Sequence, residues 1–166
     1  MIQFDLIKTY LEILDISDCN PEDTSCNTIS LDINTNDSRH SKKWDYVSVV
    51  NITIYLVGNA YPEIQFAVYQ YTRFTHAPKQ IHSMALKRIA YYFQSVLFHQ
   101  EGLTFKTTNK TQLDLYVDAD FAVLWGYEDD QDPVCVKSRT GYVVTLDNCS
   151  LYWCSKLQTE IVFSIL

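Results

Sequence analysis

The groups in this chain most able to do chemistry are its carboxylates, and they are unevenly spread. Residues 111–166 hold 9 acids against 3 bases, a balance of −6. Residues 46–110 hold 2 acids and 6 bases, hence +4, and residues 1–45 hold 9 acids and 4 bases, hence −5. Acids gathered in one region suit a hard divalent cation, and a basic stretch ahead of them suits a phosphate backbone. Solvated charge placed by chance accounts for the same pattern equally well. The formal charge of −7 weighs against a simple nucleic-acid-binding protein.

Other reactive groups form no recognisable constellation. Cys19, Cys26, Cys135, Cys149 and Cys154 are odd in number and irregularly spaced, and are read as reduced thiols. A zinc site from Cys135, Cys149 and Cys154 would lack a Cys-x-x-Cys pair and a nearby histidine. His40, His76, His82 and His99 show no metal spacing, and His76 and His82, flanking a helix start, read as surface or interface residues. No Gly-rich phosphate loop and no nucleophile elbow is present. A hydrophobic fraction of 47% indicates a globular chain. No run approaches the ~20 apolar residues needed to cross a bilayer, and the start, Met1-Ile2-Gln3-Phe4-Asp5, lacks a basic leader, so an intracellular protein without membrane contact is expected.

These residues must be positioned by local structure. Ile2, Leu6, Tyr10 and Leu14 recur at helical spacing and predict an amphipathic helix over 2–14. Residues 17–43, rich in Ser, Asn, Asp and Thr, read as an extended linker. Trp44 to Leu56 is apolar on nearly every side; its β-branched residues favour a strand and its length a buried helix. Pro62 and Pro78 each suit a helix start. Ile64, Ala67, Val68, Tyr71 and Phe74 form one stripe, and Ile81, Ala85, Ile89, Tyr92 and Val96 a second, with Lys87 and Arg88 off it. Two such helices should pack as an antiparallel pair. Beyond residue 110 the period drops to two: Leu113, Leu115 and Val117 alternate with Asp114, Tyr116 and Asp118. Gly141–Leu146 and Leu151–Ser155 make two more strands, joined by a hairpin loop over 147–150. The expectation is an α+β chain: three to four helices, then a three-stranded antiparallel sheet.

Six blocks of this sequence, in order, resemble copia-type LTR retrotransposon Pol polyproteins. Tyr116-Val117-Asp118-Ala119-Asp120-Phe121-Ala122 is similar to the Y-x-D-A-D-W/F-A block that opens the RNase H domain of that family. Ser138-Arg139-Thr140-Gly141-Tyr142-Val143 and Trp153-Cys154-Ser155-Lys156-Leu157-Gln158 resemble its next strand and following turn. Upstream, Tyr46-Val47-Ser48-Val49-Val50, Tyr61-Pro62-Glu63-Ile64 and Ala85-Leu86-Lys87-Arg88-Ile89 resemble blocks near the end of its reverse transcriptase, with Phe66-Ala67-Val68, Arg73-Phe74 and His82 at family spacing. Departures accompany the match: Tyr61 for Arg, Glu63 for Asp, Val47 for Arg, Asn51 for Gly and Val123 for Gly. Several at once are what a decaying copy would carry.

The resemblance implies a helix at Trp44–Leu56. It also implies three segments: an N-terminal helix and polar linker over 1–45, a helical reverse-transcriptase tail over 46–106, and a truncated RNase H-like domain over 107–166. It makes Asp118 the first catalytic carboxylate and Mg²⁺ the cofactor, with Asp120 two residues on and on the same strand face. Lys87, Arg88 and Arg73 would lie near an RNA–DNA hybrid or another duplex. The family's next acidic block, S-T-x-E-A-E-Y, is not met before Leu166, and the reverse-transcriptase Y-x-D-D block is absent too. One or two acids hold Mg²⁺ weakly, since most coordination positions remain with water. The expected function is therefore an inactive remnant, with a non-catalytic nucleic-acid or protein interaction module as the alternative. A three-stranded sheet with an uncovered apolar face should also self-associate.

Overall fold

A computed structural model of the chain describes residues 3–16, 20–26, 31, 36–41, 43–99, 102–103, 105, 111–120 and 136–160. Two compact units are present, Met1–Leu103 and Thr104–Leu166. Among the described residues the first holds four α-helices and one turn of 3-10 helix, and the second three strands, which makes the fold α+β. None of these helices is long and apolar enough to cross a membrane.

Helix α1 (Phe4–Ile13) buries Ile7, Tyr10 and Leu11 and carries Asp5 in its first turn, where a carboxylate complements the helix dipole. It ends on Asp15, whose φ of 56° is left-handed. The Asp15 amide bonds the Glu12 carbonyl at 3.1 Å and the Ile16 amide bonds Leu11 at 3.0 Å, the paired bonds of a Schellman ending.

Helix α2 (Tyr46–Asn59) occupies the segment whose propensity and length disagree. Asp45 caps it, accepting from the Ser48 amide at 2.8 Å, and Val49, Val50, Thr53, Leu56 and Val57 turn inward. Burial of that face outweighs the strand preference of its β-branched residues. Pro62 then begins a short 3-10 turn (Pro62–Ile64) that runs into α3 (Gln65–Thr72), and α4 follows (Gln80–His99). The α4 stripe buries Ala85, Ile89 and Val96 as expected, and also Leu86, Ala90 and Phe93.

The polar segment read as a linker is tied to the helices wherever it is described. The Glu22 amide donates to the Tyr91 carbonyl at 3.1 Å, and residues 38–40 run beside 78–80 through His40 N to Pro78 O at 3.0 Å and Gln80 N to Ser38 O at 2.8 Å. Asp37 Oδ2 accepts from the Ile81 amide at 2.6 Å, so a carboxylate from the distant segment serves the open end of α4. His82 corrects the surface reading. It is buried, its Nδ1 accepts from the Lys79 amide at 3.1 Å, and its ring stacks on Phe74 with centroids 3.8 Å apart. The unmet amides at a helix start create the need for an acceptor there.

Tyrosine is used differently from the half-wet role its type suggests. Tyr10, Tyr46, Tyr61 and Tyr71 are almost wholly buried, and the Phe93 ring meets Tyr10 and Tyr61 edge-on at 5.7 and 5.4 Å. The Tyr10 hydroxyl donates to the Leu86 carbonyl at 2.8 Å and that of Tyr46 to Tyr71 at 3.1 Å.

In the second unit β1 (Leu113–Asp120), β2 (Arg139–Leu146) and β3 (Cys149–Leu157) form an antiparallel sheet in the order β1-β2-β3. The hairpin loop is shorter than its sequence suggests. Asp147 and Asn148 alone make the turn, with φ of 51° and 63°, while Cys149 and Ser150 already belong to β3. Two residues of positive φ match the twist of the flanking strands. The register then shifts between Val144 and Thr145, leaving Leu151 as the extra residue of a bulge. Most of the acidic loop expected over Tyr127 to Lys137 lies outside the described residues.

Two outcomes are expected. Phe93→Ala should cost about 3–5 kcal/mol in chemical denaturation of the helical unit, because it empties the space between two buried rings. Burial pushes the Tyr10, Tyr46 and Tyr71 hydroxyls above the ordinary 10.0, with desolvation the leading cause for each. A raised folded value stabilises the fold fully below pH 10.0, and that stabilisation is lost as pH climbs through the folded values. Helical circular dichroism should therefore hold steady to about pH 9 and fall above about pH 10; an unchanged spectrum at about pH 12 would contradict this.

Candidate functional site

The acids proposed for metal binding project from β1. In the sheet register Asp118 pairs with Gly141 and Asp120 with Arg139, and residues two apart share a face, so Asp114, Tyr116, Asp118 and Asp120 lie on one side. Both Asp118 and Asp120 are exposed. Glycine opposite Asp118 leaves that carboxylate with no cross-strand side chain beside it. Asp120 faces the buried Arg139, whose Nη1 is 3.4 Å from Ser155 Oγ.

Among the described residues no group of three or more His, Cys, Asp or Glu side chains could hold a metal ion. Mg²⁺ fills six positions with near-ideal octahedral geometry, and a two-ion centre needs several convergent acids. The described residues around Asp118 and Asp120 do not fit such a centre. Of the cysteines weighed for zinc, Cys149 and Cys154 are not joined in a disulfide, nor is Cys26, while Cys135 lies outside the described residues. Cys149 pairs with Leu146 at one end of β3 and Cys154 with Tyr142 further along.

The three cations expected near a duplex are placed on the helical unit. Arg88 on α4 donates through Nη2 to Glu22 Oε2 at 3.2 Å and to Thr24 Oγ1 at 2.8 Å, so it ties the N-terminal segment to the helix. Arg73 donates to Gln70 Oε1 at 3.1 Å and lies over the Phe74 ring, 5.6 Å from its centroid. Lys87, one residue before Arg88, is half-buried. The basic middle of the chain is thus partly spent on holding its own fold.

A polar cluster that spacing does not reveal lies at the start of α4. His40 is buried, with Nδ1 2.7 Å from Ser83 Oγ and Nε2 2.7 Å from the Trp44 carbonyl. Ser83 Oγ also donates to the Lys79 carbonyl at 3.1 Å. A serine beside a buried histidine is a nucleophile–base pair by type, yet both partners face structural carbonyls rather than a cleft. Forty-three residues separate the two, and no local signal links them.

No family model and no solved structure matches the chain. Curated proteins do. It is 35% identical over 120 residues to the retrovirus-related Pol polyprotein from transposon RE1 of Arabidopsis thaliana, covering 72% of this chain and 7% of that protein. The polyprotein from transposon RE2 of the same plant is 32% identical over 120 residues, 72% of this chain and 8% of its own length. Secreted RxLR effector protein 161 of Plasmopara viticola is 31% identical over 123 residues, 74% of this chain and 80% of that protein. The chain therefore spans less than a tenth of the Pol polyproteins it matches but most of the oomycete protein. With the ordered sequence blocks, these matches support reading the chain as a fragment related to retrotransposon Pol polyproteins, one that is also similar to the oomycete protein over most of that protein's length.

Proposed function

We propose that this Pol fragment is of copia type, that residues 46–106 derive from the tail of a reverse transcriptase and 107–166 from the start of an RNase H domain, and that these 166 residues by themselves catalyse nothing. The order of blocks supports the assignment, as does a helical unit followed by an antiparallel sheet that carries the Asp118 block on its first strand. One observation carries the inactive reading: Asp118 and Asp120 are exposed on one strand face, and among the described residues neither Asp114 further along that face nor any other acid joins them in a group that could hold a metal ion. Two carboxylates and water hold Mg²⁺ too loosely to fix two ions about 4 Å apart.

The full chain incubated with an RNA–DNA hybrid and Mg²⁺ should release no more product than its Asp118→Asn variant. Mg²⁺-dependent cleavage that disappears with Asp118→Asn would overturn the inactive reading.

A second reading, a non-catalytic module that binds duplex nucleic acid, is favoured by the +4 balance of residues 46–110. Duplex would then compete with Glu22 for Arg88. If this reading holds, affinity should fall with salt, and Lys87→Ala should flatten the log–log slope by about 0.9 without lowering stability. Arg88→Ala should lower the melting temperature as well, since it releases the bonds to Glu22 and Thr24. Absence of salt-dependent binding would leave the remnant reading alone.

A further inference from the structure

The register divides the sheet into two unlike faces. One carries Asp114, Tyr116, Asp118 and Asp120 of β1 beside Arg139, Val143 and Trp153. The other carries Leu113, Leu115, Val117 and Ala119 beside Leu146, Val144 and Tyr142, then Cys149, Tyr152 and Cys154. The only charge on this second face among the described strands is Lys156, paired with Thr140 at one end. Leu113 is 68% exposed, Leu115 and Val117 64%, and Tyr152 60%. Tyr142 and Tyr152 stand with ring centroids 5.8 Å apart. The neighbouring Tyr152 side chain is the leading cause that pushes the Tyr142 hydroxyl up to about 12.

We propose that this apolar face is a homodimer interface, closed by the same face of a second copy. Charge placement selects both the mode and the partner. Pairing two copies edge to edge along β1 would draw rows of aspartates together, and charged residues on an edge strand oppose such addition. Stacking the two apolar faces about 10 Å apart leaves every β1 carboxylate on the outside of the resulting sandwich. A polyanionic partner would meet no positive charge on this face except Lys156. A second copy presents the same uncharged surface, and a twofold axis makes it self-complementary.

The area sets the strength. Strands of 8, 8 and 9 residues give a face of roughly 14 Å by 27 Å, using ~4.8 Å between strands and ~3.3 Å per residue. That plan area of about 380 Å² is roughly half the ~800 Å² per partner of a standard interface, which makes the association weak. The dimer should accordingly form and dissociate with concentration in the micromolar range.

Sedimentation velocity of the full chain across about 1–100 µM should show a monomer–dimer equilibrium. Leu115→Lys or Tyr152→Lys, both at exposed positions, should raise the dissociation constant at least about tenfold with helical and strand circular dichroism unchanged. Tyr116→Lys, on the opposite face of the same strand, should change it less than about twofold. Exposed apolar residues on α2 provide the competing explanation, so Ile54→Lys should likewise leave the dimer intact. A monomer at every concentration overturns the proposal. So does a dimer that survives both changes on the apolar face, or one dissolved by Ile54→Lys.

Discussion

A tyrosine hydroxyl taken out of water gains from an acceptor, and in the helical unit two such bonds tie neighbouring elements together, while the equally buried Tyr61 hydroxyl has none among the described residues. Tyr10 on α1 finds the Leu86 carbonyl on α4, and Tyr46 at the start of α2 finds the Tyr71 carbonyl on α3. The first joins the first and last helices of the unit and the second joins consecutive ones, while Phe93 fills the space between the Tyr10 and Tyr61 rings. Hydrophobic burial would tolerate many arrangements of four apolar helices. The directional bonds of Tyr10 and Tyr46 favour the arrangement that brings the Leu86 and Tyr71 carbonyls to them.

The open end of α4 imposes a second requirement, met by the side chains of Asp37 and His82, with His40 packed beside them. Asp37 accepts from Ile81, His82 from Lys79, and His40 sits between Ser83 and the Trp44 carbonyl. Together with Arg88, Glu22 and Thr24 they turn a polar segment of unremarkable composition into a strap across the helix. The same bonds govern what the basic residues can do. An arginine already paired with a carboxylate reaches a phosphate only by giving up that partner, so the charge balance of residues 46–110 overstates what is offered to a duplex.

The sheet obeys a different logic. Its acids stand on one face and its aliphatic side chains on the other, a separation set by period-two alternation before any tertiary contact forms. Among the described residues the acidic face holds too few convergent oxygens to complete a two-ion centre. The aliphatic face is what three strands cannot hide by themselves.

Much of this was legible in the residues. The 3.6-residue stripes of α1, α3 and α4, the alternation of Leu113 to Asp118, and the side-by-side placement of Asp118 and Asp120 all follow from local geometry, which depends only on neighbours in sequence. The motif order carried the family. Long-range pairing stayed hidden: Asp37 beside Ile81, His40 beside Ser83, and Arg139 opposite Asp120 join positions whose separation leaves no periodic trace. Propensity misjudged α2, because burial of its inner face against neighbouring helices outweighs the strand preference of its β-branched residues. It also overestimated the hairpin loop, where two residues able to take positive φ suffice. Sequence alone determined which elements form and which faces carry charge, since those depend on side-chain type and period. Only tertiary structure decided which polar groups are consumed in holding the fold, because that depends on where the rest of the chain brings a donor or an acceptor.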